Sequence, residues 1–188
     1  MFRLSRPAQS EISAFLEACS GSDFSYPDVG STQGAIPSRY TIDHNRIGIG
    51  SGPNDLERAK TAIRQWKMFE MPWVELCWPD APIEPGRTVA VVVRHLGFYS
   101  LNPARIVYVI DEPDRFGFAY GTLAGHGESG EERFLVEIDA MTGDVFYDLL
   151  AVSRPGHLLT YLGYPYTRYL QKQFALGSNA AMRRAIAA

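Results

Sequence analysis

Residues 116–153 read FGFAYGTLAGHGESGEERFLVEIDAMTGDVFYDLLAVS. Three stretches of it, Phe116–Gly125, Glu131–Asp139 and Val145–Ser153, are rich in β-branched and aromatic side chains. Between them stand His126-Gly127-Glu128-Ser129-Gly130 and Met141-Thr142-Gly143-Asp144. Side chains that suit a pleated surface, broken by short glycine-containing turns, predict antiparallel hairpins joined as a meander. A symmetric turn centred on Glu128-Ser129 pairs His126 with Glu131, Gly125 with Glu132 and Ala124 with Arg133. Toward the N-terminus the meander extends through Asp111-Glu112-Pro113-Asp114 to Arg105–Asp111, and then to the β-branched run Arg87–Leu96. Pro72–Trp78 is a further short strand, stopped by Pro79, which has no N–H for a ladder.

The flanks read differently. After Pro155 the chain is predicted helical to its end, kinked near Gly163 and Pro165. Leu162, Tyr166, Leu170, Phe174 and Ala181 form an apolar stripe, and Ala175, Gly177, Ala180 and Ala181 are small enough for a sheet to approach closely. Upstream, Thr41–Gly50 alternates, with Ile42, His44 and Arg46 opposed to Asp43, Asn45, Ile47 and Ile49, and is a strand. Gly52-Pro53-Asn54-Asp55 then starts a helix running to about Phe69, with Leu56, Ala59, Ile63 and Trp66 on one face. Residues 7–19 form a short amphipathic helix through Ile12, Phe15, Leu16 and Cys19, with Ser10 as its cap, and residues 20–38 are a loop. This order predicts an α+β helix-grip fold, a curved antiparallel sheet wrapped around a long C-terminal helix with a cavity between them. The expected organisation is a single domain over 1–188. It comprises an N-terminal helix and loop extension (1–40), the strand–helix unit and sheet (41–153) and the C-terminal helix (154–188).

Composition narrows the function. The 188 residues are 46% hydrophobic and 21% charged, a globular balance that excludes a disordered chain. No apolar run approaches the roughly 18 residues of a membrane span. Glu11 and Glu17 interrupt the N-terminus too early for a signal peptide, so the expected address is cytoplasmic. Cys19 and Cys77 lack paired spacing and are expected as buried free thiols. Residues 154–188 carry five cations and no acid, too sparse a footprint for nucleic acid, and Arg183 and Arg184 suit a helix C-terminus. His44, His95, His126 and His157 show no metal-ligand spacing, and no glycine-rich phosphate loop is present, so neither a metal nor a cofactor is expected.

Several residues are candidates for chemistry. His95 shares a strand face with Val89, Val91 and Val93; Tyr108 is placed with Ile106 and Ile110, and Tyr120 with Phe116 and Phe118. Isolated polar tips on apolar faces suit a cavity that orients a small molecule, and with Tyr166 and Arg133 they form the expected ligand-binding set. The same residues also fit satisfied groups of an ordinary core. Asp43, His44 and Arg46 suggest a polar site at the cavity mouth, or ion pairs with the acidic sheet. His126 and Glu131, opposed across the turn, suggest an acid–base pair, or a stabilised surface turn. No nucleophile stands beside them.

The motifs also carry a resemblance. They run Val29-Gly30-Ser31-Thr32, Ile42-Asp43-His44-Asn45-Arg46, Gly48-x-Gly50 and Trp66-x-x-Phe69-x-Met71-x-Trp73. Then come Phe116-Gly117-Phe118, Gly121-Thr122-Leu123-x-Gly125-His126, Gly130-Glu131-Glu132-Arg133-Phe134, Ser153-Arg154-Pro155, and Gly163-Tyr164-Pro165-Tyr166 with Gln171-x-x-Phe174. In these the chain resembles the bacterial and plant family catalogued as domain of unknown function 1990, over residues 26–182. One departure is Ile36-Pro37-Ser38-Arg39-Tyr40, where the family pattern has Pro-x-Gly-Tyr. The family is similar to the START-like (Bet v 1-like) superfamily, which implies a ligand held between helix and sheet. The expected partner is a small apolar molecule such as a lipid, quinone, polyketide or aromatic metabolite. The alternatives are a cyclase- or hydrolase-like enzyme using His126 or His95 as acid/base in the same cavity, and a structural or partner-binding scaffold.

Overall fold

The computed structural model describes residues 2–156 and 163–187. Strands β2 (Thr41–Ser51), β3 (Val74–Cys77), β4 (Thr88–His95), β5 (Phe98–Glu112), β6 (Arg115–Thr122), β7 (Glu128–Ile138) and β8 (Asp144–Pro155) form one antiparallel sheet. Their order is β2-β8-β7-β6-β5-β4-β3, the expected meander with β2 folded back onto β8. A two-residue strand β1 (Phe2–Arg3) extends the sheet beside Tyr99 and Ser100. Helices α1 (Gln9–Cys19), α2 (Gly52–Arg64) and α3 (Tyr164–Ala187) complete the described elements.

Period-two alternation gives the sheet two unlike faces. The inner face carries Phe116, Phe118 and Tyr120 of β6, Phe134 and Val136 of β7, and Tyr147 and Leu149 of β8, adjacent across the ladders. Phe118, Tyr120 and Phe134 make one aromatic cluster with Trp66 and Phe69; the ring centres of Trp66 and Phe118 are 4.8 Å apart and those of Phe69 and Phe134 5.4 Å. The outer face carries Val92 and Leu101, covered by Ile12 of α1, and Leu150 and Val152, covered by Tyr40. Gly121 has no side chain because Tyr26 and Phe24 of the N-terminal loop lie where a Cβ would stand.

Helix α3 packs unevenly. Its second half buries Ala175, Ser178, Ala181, Met182 and Ile186 against α2 and the sheet, and the Ser178 and Tyr147 hydroxyls bond at 2.7 Å. Gly177 faces Met71, while Ala180 points to solvent and plays no part in the approach. In the first half Tyr166, Leu170 and Phe174 are half-buried. Leu162, expected in the same stripe, and His157 lie outside the described residues.

Local expectations changed in four places. Helix α1 is capped by the Glu11 carboxylate, which accepts the Ala8 N–H at 2.9 Å, and not by Ser10, which lies inside the helix. Helix α2 stops at Arg64, because Trp66 takes a left-handed turn (φ 56°) that drops its ring into the core and lets its indole N–H reach the Ala81 carbonyl at 2.9 Å. Strand β5 begins at Phe98, seven residues before Arg105, since its first half pairs with β4.

The fourth change is register. Glu131 pairs with Gly121, Glu132 with Tyr120 and Arg133 with Ala119, so Leu123–Gly127 form a wide connection and not a tight turn. The shift of five residues, an odd number, moves Glu131 to the face opposite the one expected.

Phe134→Ala is expected to cost about 3–5 kcal/mol, the range for a fully buried phenylalanine. Phe174→Ala should cost roughly half as much, since its ring is only partly removed from open space. Urea unfolding of both variants measures the difference; equal costs would mean that α3 lies flat on the sheet.

Candidate functional site

Because the first half of α3 stands away from the sheet, a cavity of about 1280 Å³ remains beneath it. Its walls are largely apolar, including Val91, Val93, Phe69, Leu149 and Phe174. One end is polar. Tyr120 Oη donates to Glu132 Oε2 at 2.6 Å. Glu128 accepts from Ser153 Oγ at 2.9 Å and from the Gln171 amide. Gln171 Oε1 in turn accepts from Arg168 at 2.6 Å, and Arg168 grips Asp43 with both guanidinium nitrogens. Strand parity places these groups: Glu128 and Glu132 are inner positions of β7, Ser153 of β8 and Asp43 of β2. Arg168 and Gln171, three apart on α3, share a face.

Burial sets the electrostatics. Glu132 opens onto the cavity but is enclosed by protein on its other sides, and desolvation pushes its carboxyl up to about 7; the Tyr120 hydroxyl opposes this, and Glu128 and Asp43 add to it. Burial also raises Glu128, against hydrogen bonds from Ser153 and Gln171 that favour its charge. The Tyr120 hydroxyl is pushed far up by the same desolvation, and His95 is pushed down.

Of the residues expected to bind ligand, His95, Tyr120 and Tyr166 border this cavity, with the His95 and Tyr166 rings 5.9 Å apart. Asp43 and His126 border it too, and His126 Nδ1 accepts the Glu128 N–H at 3.0 Å. Tyr108 and Arg133 do not belong there. A bulge between Ile106 and Tyr108 leaves Ile106 opposite Tyr120 and turns Tyr108 to the outer face, away from Ile106. The register shift sends Arg133 the same way.

The expected polar site of Asp43, His44, Arg46, His126 and Glu131 is likewise divided by the sheet. On the outer face Glu131, 2% exposed, accepts from Tyr26 Oη at 2.7 Å, the Gly30 N–H at 2.7 Å and the Thr32 N–H at 3.0 Å, as well as the Thr32 hydroxyl. Thr32 Oγ1 also meets Tyr108 Oη at 2.6 Å. Arg133 and His44 flank the buried Asp148 at 2.9 and 2.7 Å, and Arg46 pairs with Glu137. These groups lock the loop to the back of the sheet, and Glu131 is no partner of His126.

Glu128, Glu132, Arg168 and Gln171 border the cavity without being among the expected site residues. One signal was present: Glu132 interrupts the alternation it shares with Phe134 and Val136, an acid where an apolar residue is due. Adjacent Glu131 and Arg133 masked it by making both faces polar.

A curved antiparallel sheet gripping a C-terminal helix over a cavity with a polar end defines a helix-grip fold. The chain belongs to the family described as domain of unknown function DUF1990, which matches residues 25–181. A UPF0548 protein of Dictyostelium discoideum is 33% identical over 207 residues, covering 99% of this chain and 96% of its own. A solution structure of an Arthrobacter aurescens protein is 9% identical, with a TM-score of 0.52 over 78% of this chain and 86% of its own. The di-domain ARO/CYC protein StfQ from the steffimycin biosynthetic pathway is 8% identical, with a TM-score of 0.50 over 78% of this chain and 50% of that one. These likenesses concern the fold.

Two outcomes follow from the two faces. Glu131→Ala strands the buried donors of Tyr26, Gly30 and Thr32, and is expected to cost about 3–5 kcal/mol and to expose residues 24–34 to limited proteolysis. On the inner face, Glu132 titrates near 4.5 when unfolded and about 7 when folded, so the folded chain binds an extra proton across that window. Its contribution to stability therefore falls as pH rises from about 4.5 to 7, by up to roughly 3 kcal/mol. Urea midpoints across that range should show the fall, and Glu132→Gln should flatten it.

Proposed function

We propose that this protein binds a small, mostly apolar molecule in the cavity between the sheet and α3. The observation that carries the reading is the mismatch between the halves of α3. Tyr166, Leu170 and Phe174 stay half-buried above about 1280 Å³ of space, while the second half of the same helix is tightly packed. A core built only for stability closes such space, because each lost contact costs free energy. The apolar walls supply most of the binding free energy, and Tyr120, His95 and Asn102 supply orientation. Lipids, quinones, polyketides and aromatic metabolites of suitable volume are the candidate class.

A second reading, an enzyme working in the same cavity, draws on Glu132. A carboxyl held at about 7 in an apolar enclosure is suited to general acid–base work, more so than the His126–Glu131 pair that the sheet separates. His126 and His95 remain the other candidates for that role.

Native mass spectrometry of the purified protein should reveal a retained small molecule, and a thermal-shift screen of the four compound classes should raise the melting temperature. Tyr120→Phe should weaken a bound ligand by about 0.5–1.5 kcal/mol, the value of one hydrogen bond, or leave Glu132 to rearrange with an effect of that size. Absence of any ligand-induced shift would refute the binding reading. Product formation lost in Glu132→Gln or His126→Ala would establish the enzyme.

A further inference from the structure

We propose that the molecule held in this cavity is an amphipathic cation, an apolar body carrying a protonated amine whose ammonium group sits against Glu132 and Glu128. The proposal rests on the cavity-binding reading and adds the chemistry of the ligand's polar end. Four acidic residues border the cavity, of which Asp43, Glu128 and Glu132 stand at inner positions, while the Glu131 carboxylate is bonded to Tyr26, Gly30 and Thr32 on the outer face. Among the described residues Arg168 is the guanidinium beside the inner three, and it is engaged by Asp43 and by Gln171 Oε1. Lys172 also borders the cavity, but its side chain is on the exposed side of α3.

Glu132 is the group left incomplete. Its Oε2 accepts from Tyr120, no described residue donates to its Oε1, and the residue borders the cavity. A carboxylate accommodates about four donors, so Glu132 has room for an ammonium with three. The rings of Phe69, Phe174 and Tyr120 border the same space, with Phe69 and Phe174 centred 5.5 Å apart and Phe69 and Tyr120 6.3 Å apart, and aromatic rings attract a cation. A carboxylate-headed ligand would be repelled there, and an alcohol would leave the acidic charge uncompensated.

The other titratable groups facing this point are Tyr120 of β6, Tyr147 of β8, His95 of β4 and His126 of the β6–β7 connection. The two tyrosines are neutral donors because burial raises both, and burial disfavours charge on His95. His126 is engaged with the Glu128 backbone. Proton and amine then compete for Glu132, so binding strengthens as the carboxyl ionises through about 7.

Isothermal titration calorimetry with decylamine, decanol and decanoic acid tests this with one apolar body and three heads. At pH 8 decylamine is expected to bind about tenfold tighter than decanol, with decanoic acid weakest. Between pH 8 and pH 6 decylamine should lose about tenfold as the competent fraction of Glu132 falls, while decanol stays level. In Glu132→Gln, decylamine and decanol should bind alike; Glu128→Gln, a second variant, should reduce the preference severalfold. Equal binding of decylamine and decanol by the native protein, tighter binding of decanoic acid, or an amine preference that is level in pH or survives both substitutions would overturn the amine while leaving the cavity a binder. If none of the three binds, the cavity reading itself fails.

Discussion

Two neighbouring carboxylates on β7 divide the work of this molecule. Successive side chains on a strand point to opposite faces, so Glu131 and Glu132 are adjacent in sequence and separated by the sheet. Glu131 is saturated: a tyrosine hydroxyl, two backbone N–H groups and a threonine hydroxyl all converge on it. That bonding pins residues 24–34 across the back of the sheet and shields Arg133 and Asp148. Glu132 has one donor among the described residues, Tyr120, and borders the cavity. A one-residue slip of β7 would exchange the two environments, breaking the latch and the cavity floor together.

The cavity depends equally on how α3 is held. Its second half is drawn down by small residues, with Ala175 and Ala181 buried and Ser178 bonded to Tyr147. Its first half is held by polar ties at a distance, Arg168 to Asp43 and Gln171 to Glu128. Long polar side chains span a gap that apolar side chains would close by packing. The helix is thereby fixed at both ends of its span without filling the volume beneath it. The same ties explain the basic C-terminal segment, at least at Arg168: its charge is directed into the protein and answers an acid on the edge strand β2.

Much of the architecture was legible in the residues themselves. The strand runs between Arg87 and Ser153, the turn at Met141–Asp144 and the face shared by Leu56, Ala59, Ile63 and Trp66 all follow from local rules. So does the face that His95 shares with Val89, Val91 and Val93. These are short-range properties, in which one side chain's preference is reinforced by neighbours two, three or four positions away. The candidate site was legible only in part. His95, Tyr120, Tyr166 and Asp43 do border the cavity, because each stands on a face whose apolar company was visible in sequence, and His126 reaches it from the β6–β7 connection.

Tyr108, Arg133, Glu131, His44 and Arg46 went to the other side. His44 and Arg46 follow the alternation of β2 itself, whereas Tyr108, Arg133 and Glu131 turn on two events with no local signature: a bulge near Val107 and a five-residue connection where a tight turn was expected. Either one reverses facing without changing which residues form strand. The sequence alone determined the strands, helices and their order, since these depend on intrinsic preference and periodicity. Only the tertiary structure decided which carboxylate faced the cavity, which donor met it and how far α3 stood from the sheet. Those outcomes depend on registers and long-range hydrogen bonds between residues such as Asp43 and Arg168, 125 positions apart in the chain, and no local pattern encodes a partner at that distance.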